Sequence, residues 1–230
     1  MNNLEVLYED NHIIVVVKPH NVLSQSDNTN DEDMLTIVKR YIKEKYNKPG
    51  NVYLGLVHRL DRPVGGIMIF ARTSKAASRM TEMIQKHQFE KKYLAVINGI
   101  LKNKEGTLKD YLTKNNDGNT IVTTKEIGKY SELEYKVLEE NQKEKLTLVE
   151  VNLLTGRHHQ IRVQFSSRNY PLYGDQRYGK MDKKQIALWA YKLTIIHPIT
   201  KEKMQFIYPP KKGQNIWNVF NVHFINSACN

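Results

Sequence analysis

The chain has 230 residues, 40% of them hydrophobic and 26% charged, which excludes a disordered or collagen-like polymer and allows a sizeable core. One cysteine, Cys229, excludes a disulfide framework and a cysteine-rich zinc site, and no apolar run approaches the roughly 18 residues of a membrane span. The net charge is +11 overall but −6 over the first 33 residues, so the remaining chain carries +17, which suggests a polyanionic partner, nucleic acid or an acidic membrane surface, against the alternative of a merely basic cytosolic protein.

The polar, acidic start lacks the basic and apolar stretches of a signal peptide, and a soluble, cytoplasmic protein is expected. Residues 4–18 read as one strand around Ile13-Ile14-Val15-Val16-Val17, a β-branched run suited to burial on both faces, ended by Lys18-Pro19. Residues 20–33 read as a polar loop. Leu35, Val38, Tyr41, Ile42 and Tyr46 then recur at helical spacing, with Pro49-Gly50 as the stop.

Residues 52–57 and 67–71 read as strands around a polar turn at 58–66. Thr73 is a suitable N-cap for a helix over 74–87. Residues 90–99 alternate as a strand, and Asn116-Asp117-Gly118 signals a hairpin. Residues 130–138 and 145–154 alternate around a polar turn, HHQIRVQFSSR reads as a helix, and 186–196 and 203–208 read as late strands. Strands follow strands too often for a doubly wound parallel sheet, so the class expected is α+β.

Three segments can carry chemistry. His58-Arg59-Leu60-Asp61-Arg62, followed by Gly65-Gly66, sets one carboxylate among cations. Neighbouring positive charge favours the ionised form, and an anion held in a basic cleft can act as nucleophile or base. A solvated turn with local ion pairs would leave the same pattern. Thr155-Gly156-Arg157-His158-His159-Gln160-Ile161-Arg162 follows a strand and opens a helix. On that helix the two histidines would point about 100° apart, unlike the i, i+4 pair of a zinc helix. A guanidinium and helix N–H groups suit phosphate better, and no metal is expected. Lys91-Lys92-Tyr93 places a tyrosine on a strand beside two lysines, a pattern that alone signals only packing.

Together, VHRLDRPVGGIMIFART, KKYLAVINGI, GKYSELEYKVLE, LLTGRHHQIRVQF and YPLYGDQRYG resemble the RluA family of pseudouridine synthases, and VLYEDNHIIVVVKP is similar to that family's first strand. The likeness runs from about Leu4 to Pro210. It implies a single catalytic domain of two sub-domains around a central cleft. The fold would be α+β, a long, mixed but mainly antiparallel sheet with flanking helices. It also implies isomerisation of uridine to pseudouridine in rRNA or tRNA, with no cofactor, by a monomer. By the same likeness Asp61 is the essential carboxylate, Arg162 pairs with it, and Tyr93 lines the pocket as a candidate base. Ile161 would shape the apolar floor, and Arg62 would fill the space left by a flipped-out base. His58, Arg59 and Arg157 would serve fold and phosphate contacts. Many relatives carry an N-terminal S4 RNA-binding domain; none is expected ahead of a first strand that starts at Leu4.

The chain departs from the family pattern in two places. Pro63-Val64-Gly65-Gly66-Ile67 stands where Thr/Ser-Ser-Gly-Leu is usual, and Gln164 stands where His is usual. Two other readings compete. An RNA-binding protein without catalysis should lack one of Asp61, Tyr93 and Arg162, and all three are present. A nucleoside hydrolase would need a second carboxylate, for which distant Asp175 is a candidate.

Overall fold

The computed structural model describes residues 4–211 and 215–220; Cys229 lies outside them. The described residues form two compact units: residues up to Phe89 together with Lys192–Tyr208, and Glu90–Tyr191 together with the residues from Pro209 onward.

In the first unit the expected opening strand is two strands, β1 (Val6–Glu9) and β2 (Ile13–Lys18), paired antiparallel. The turn between them carries neither glycine nor proline. Asp10 makes it instead, its Oδ1 accepting from the N–H groups of His12 and Ile13 at 2.7 and 2.8 Å. Helix α1 (Met34–Lys45) is capped by Asp33, whose carboxylate accepts from Thr36 N, and buries Met34, Val38 and Ile42. It ends earlier than Pro49-Gly50, because Asn47 turns into the left-handed region at φ 47°. Of the strand expected over 52–57 only β3 (Gly55–Leu56) forms.

β4 (Gly65–Ala71) is flanked by β2 and β3, and all its residues are buried. Gly66 stands at φ 124°, a backbone conformation that favours glycine and accounts for one of the paired glycines. Helix α2 (Ser74–Gln85) starts as expected, with Thr73 Oγ1 accepting from Ala76 N. Its Ala76, Met80 and Met83 pack on Ile13, Val15, Ile67 and Ile69. Each such aliphatic side chain contributes about 1.5–3 kcal/mol on full burial, so β2, β4 and α2 form the anchor of this unit.

The second unit is an antiparallel ladder. β5 (Glu90–Asn98) pairs with β9 (Leu146–Leu153), β9 with β8 (Lys129–Asn141), β8 with β6 (Glu105–Lys114), and β6 with β7 (Thr120–Thr123). The hairpin between β6 and β7 turns at Asn116-Asp117-Gly118 as expected, with Gly118 at φ 74° and its N–H on Asn115 O. Helix α3 (Gln160–Ser166) is short and nearly all buried. β10 (Leu188–Ile196) gives its first residues to the second unit and its last to the first, where it pairs with β11 (Lys203–Ile207). Many strands, few helices and antiparallel ladders make an α+β protein, as expected from the order of elements.

Candidate functional site

Asp61 lies in the first unit, half-buried on the loop between β3 and β4. The backbone of this loop is held by side chains from one other segment, the end of β2 and the residues after it. Lys18 is fully buried, and its Nζ donates to the carbonyl oxygens of Pro19, Arg62 and Val64 at 3.0, 3.0 and 2.7 Å. Ser24 Oγ donates to Leu60 O at 2.7 Å and accepts from Leu60 N at 3.1 Å. His20 Nδ1 meets Pro63 O at 2.8 Å, which fixes the proton on Nδ1. Val64 N closes the turn on Asp61 O at 3.0 Å. The residues on both sides of Asp61 are thus tied down.

Burial pulls the Lys18 amine down to about 7, against the pull of the Asp61 charge, while Arg62 adds to the lowering. Burial likewise holds His20 below the usual histidine range, despite its bond to Pro63 and with help from the Lys18 charge. His20 is therefore a neutral donor near neutral pH. Lys18, His20 and Ser24 fell in a stretch read as strand end and polar loop. The one available signal was a lysine closing an otherwise apolar run, a residue that is almost never fully buried unless paired.

Lys18→Met should test this clamp. The change keeps the volume but leaves three carbonyls without their donor, of which that of Val64 is buried, at about 1–3 kcal/mol for each that water cannot reach. A loss of about 1–3 kcal/mol in urea unfolding is expected, beyond an average surface substitution. A variant as stable as the parent would mean that the three bonds do not hold the loop.

The other residues of the first motif divide by role. His58 Nε2 accepts from Ile69 N at 3.1 Å, so this side chain fastens the loop to β4 and serves the fold. Arg59 is exposed. Arg62 is exposed and paired with equally exposed Asp31, an ion pair that an incoming polyanion can exchange at little cost.

The second unit carries Tyr93, Arg157, Ile161 and Arg162. Tyr93 is buried in β5 opposite Val151, and Ile161 is buried in α3. Arg162 forks onto Asp175, Nε to Oδ2 at 2.8 Å and Nη2 to Oδ1 at 2.7 Å, with both side chains out of solvent. Its guanidinium also stands 5.1 Å from the ring centre of Tyr178. Burial alone would raise the Asp175 carboxyl. Hydrogen bonds and charge from Arg162, with the N–H groups of Tyr178 and Arg177, outweigh it and hold the group below the usual carboxylate range. Both Asp175 oxygens are thereby engaged, which suits a positioning role for Arg162 and makes Asp175 a poor general acid.

The turn before α3 departs from the expected helix. His158 and His159 precede the helix, with His159 left-handed at φ 52°. Their rings stack at 3.6 Å between centres instead of diverging by 100°. The turn is closed by its own side chains. α3 has seven residues, and Arg157 N already donates to Gln160 Oε1 at 2.9 Å. Gln160 also accepts from Thr155 Oγ1 and donates to Glu132 O, so it organises the whole turn, a role not read from sequence. Arg157 donates from Nε to Tyr130 O at 2.9 Å and is otherwise exposed. Gln164, one of the two departures, is buried and ties α3 to β6 through Leu108 O and Asp110.

These features fit the comparisons with known proteins. A model of the RNA pseudouridylate synthase family matches residues 12–167. The chain is 33% identical over 202 residues to YhcT, named an RNA pseudouridine synthase, of Bacillus subtilis, covering 86% of this chain and 66% of that protein. It is 31% identical over 225 residues to ribosomal large subunit pseudouridine synthase D of Haemophilus influenzae, covering 90% of this chain and 67% of that one. The chain thus spans about two-thirds of the length of these relatives. Among solved structures, human RNA pseudouridylate synthase domain containing 4 superposes with a TM-score of 0.75 at 19% identity, over 90% of this chain and 89% of that one. That likeness speaks for the fold.

Proposed function

Because the chain belongs to the RluA family of RNA pseudouridylate synthases, we propose that it isomerises uridine to pseudouridine in RNA, with Asp61 as the essential carboxylate. The observation that carries the proposal is the clamped loop. Side chains of Lys18, His20 and Ser24 fix the backbone on both sides of half-buried Asp61, the preorganisation a catalytic group requires.

The reaction breaks the bond from ribose C1′ to N1 of the base, turns the base, and joins C1′ to C5. The proton on C5 leaves, N1 gains one, and electrons balance within the substrate, so no oxidant or energy source enters. Asp61 attacks C1′ or stabilises charge there while the detached uracil turns. Tyr93 lines the pocket as a candidate base for the C5 proton, over the apolar floor to which Ile161 belongs. Arg162 supplies positive charge, held in place by Asp175. Flipping the uridine out of its stack costs a few kcal/mol, which phosphate contacts from the basic surface and the insertion of Arg62 offset.

The substrate favoured is large-subunit rRNA, as in the name of the Haemophilus influenzae relative. Pseudouridine mapping of total RNA from a strain lacking this protein, with and without restoration of the gene, tests it. Loss of one or more pseudouridines from large-subunit rRNA is the expected result. Loss confined to tRNA would move the target, and an unchanged map would overturn the activity.

A further inference from the structure

Two adjacent lysines on β5 have opposite fates. Lys92 faces the polar side of the ladder, 3.0 Å from Glu150 and 3.9 Å from Glu90. Lys91 alternates to the side of Tyr93. Among the described residues no hydrogen bond or ion pair engages its ammonium. Its pKa is lowered with burial as the only cause, so no neighbouring carboxylate compensates the charge.

Gly156 is what leaves this ammonium open. A Cβ at that position would sit 3.4 Å from Lys91 Nζ, in ordinary contact. Any larger side chain there would cover it. The next residue is Arg157, whose Nε donates to Tyr130 O and whose side chain is exposed. Lys91 is half-buried, and a cation partly withdrawn from water with no internal partner is costly unless a ligand supplies the missing charge.

We propose that Lys91, framed by Gly156 and Arg157, binds a backbone phosphate of the RNA next to the target uridine. It does so as a point charge that is completed only when RNA is bound. This rests on the pseudouridine synthase reading of the same chain and adds to it a substrate-binding residue. Lys91 stands two residues from Tyr93 and on the same side of the strand, so the phosphate would be held beside the nucleotide that Tyr93 contacts.

The test compares wild type with Lys91→Met. Binding to poly(U) is followed by fluorescence anisotropy over a salt series, and turnover by tritium release from a large-subunit rRNA transcript carrying 5-tritiated uridine. Loss of one single-strand phosphate contact reduces the log–log salt slope by about 0.7. Lys91→Met is expected to show that reduction, to bind about tenfold more weakly at low salt, and to lose activity mainly through KM. Its melting temperature should not fall, because an uncompensated charge has been removed. A slope equal to that of wild type, a loss confined to kcat, or a lowered melting temperature with unchanged binding would each overturn the proposal. Tritium release by wild type judges the underlying activity separately. If wild type turns over while the slope of Lys91→Met is unchanged, only the phosphate site fails.

Discussion

Asp61→Asn is expected to fold like the parent and to form pseudouridine at below about 1% of the parent rate. The substitution is nearly isosteric. The loop is held through its backbone by Lys18, His20 and Ser24, and those bonds do not use the Asp61 carboxylate. On the proposed mechanism, removing the anion removes the group that attacks or stabilises C1′, whereas these backbone bonds remain. Circular dichroism and thermal melting should therefore match the parent, while tritium release from a 5-tritiated uridine transcript falls to background. One side effect follows from Lys18. The Asp61 charge favours its ammonium form, so the asparagine variant should lower the Lys18 pKa further below about 7. Turnover above about 1% of the parent would remove Asp61 from its role.

Asp175→Ala is expected to cost about 3–5 kcal/mol of stability near neutral pH, because it removes the buried carboxylate onto which the Arg162 guanidinium forks. The folded carboxyl of Asp175 is held below its unfolded value, near 3.9 for an ordinary aspartate. Its stabilisation is fully present above the unfolded pKa and is lost as pH falls through the folded pKa. The difference between parent and variant should accordingly be largest at neutral pH and shrink in acid. Arg162→Met should destabilise by a similar mechanism, and the double variant should lose less than the two singles added together. Urea unfolding of the four proteins at neutral and acid pH measures all of this. Additive losses, or an Asp175→Ala variant as stable as the parent, would mean that the fork contributes nothing to the fold. Activity should fall in Asp175→Ala as well, since Arg162 loses the group that orients it.

What the sequence discloses and what it conceals have separate physical causes. Local signals were legible. Thr73 caps α2 because its hydroxyl reaches Ala76 N, three residues on, and Asn116-Asp117-Gly118 turns because Gly118 tolerates φ 74°. The β-branched run of β2 is buried throughout because it is covered on both faces. The turn within residues 4–18 was hidden because Asp10 makes it with its own carboxylate, and aspartate at a strand end is unremarkable in a sequence. The clamp on the Asp61 loop was hidden because Lys18, His20 and Ser24 lie about 40 residues before the loop they hold, and nothing in their spacing announces it. The family resemblance implied Asp61 as the partner of Arg162. Within the second unit the guanidinium forks onto Asp175, a pairing 13 residues apart that only the fold brings about. The stacking of the histidine pair is hidden because the helix starts only at Gln160, two residues after the pattern suggests, and a left-handed His159 turns its ring onto that of His158.

The central claim is that this chain converts uridine to pseudouridine through Asp61, and nucleoside analysis of one reaction tests it most directly. Purified protein is incubated with a large-subunit rRNA transcript, the RNA is digested to nucleosides, and free bases are collected from the same mixture. The expected result is pseudouridine accumulating as uridine is lost, with no free uracil and with neither change in Asp61→Asn. Free uracil in place of pseudouridine would make the protein a glycosidic hydrolase, and pseudouridine formed equally well by Asp61→Asn would contradict the account.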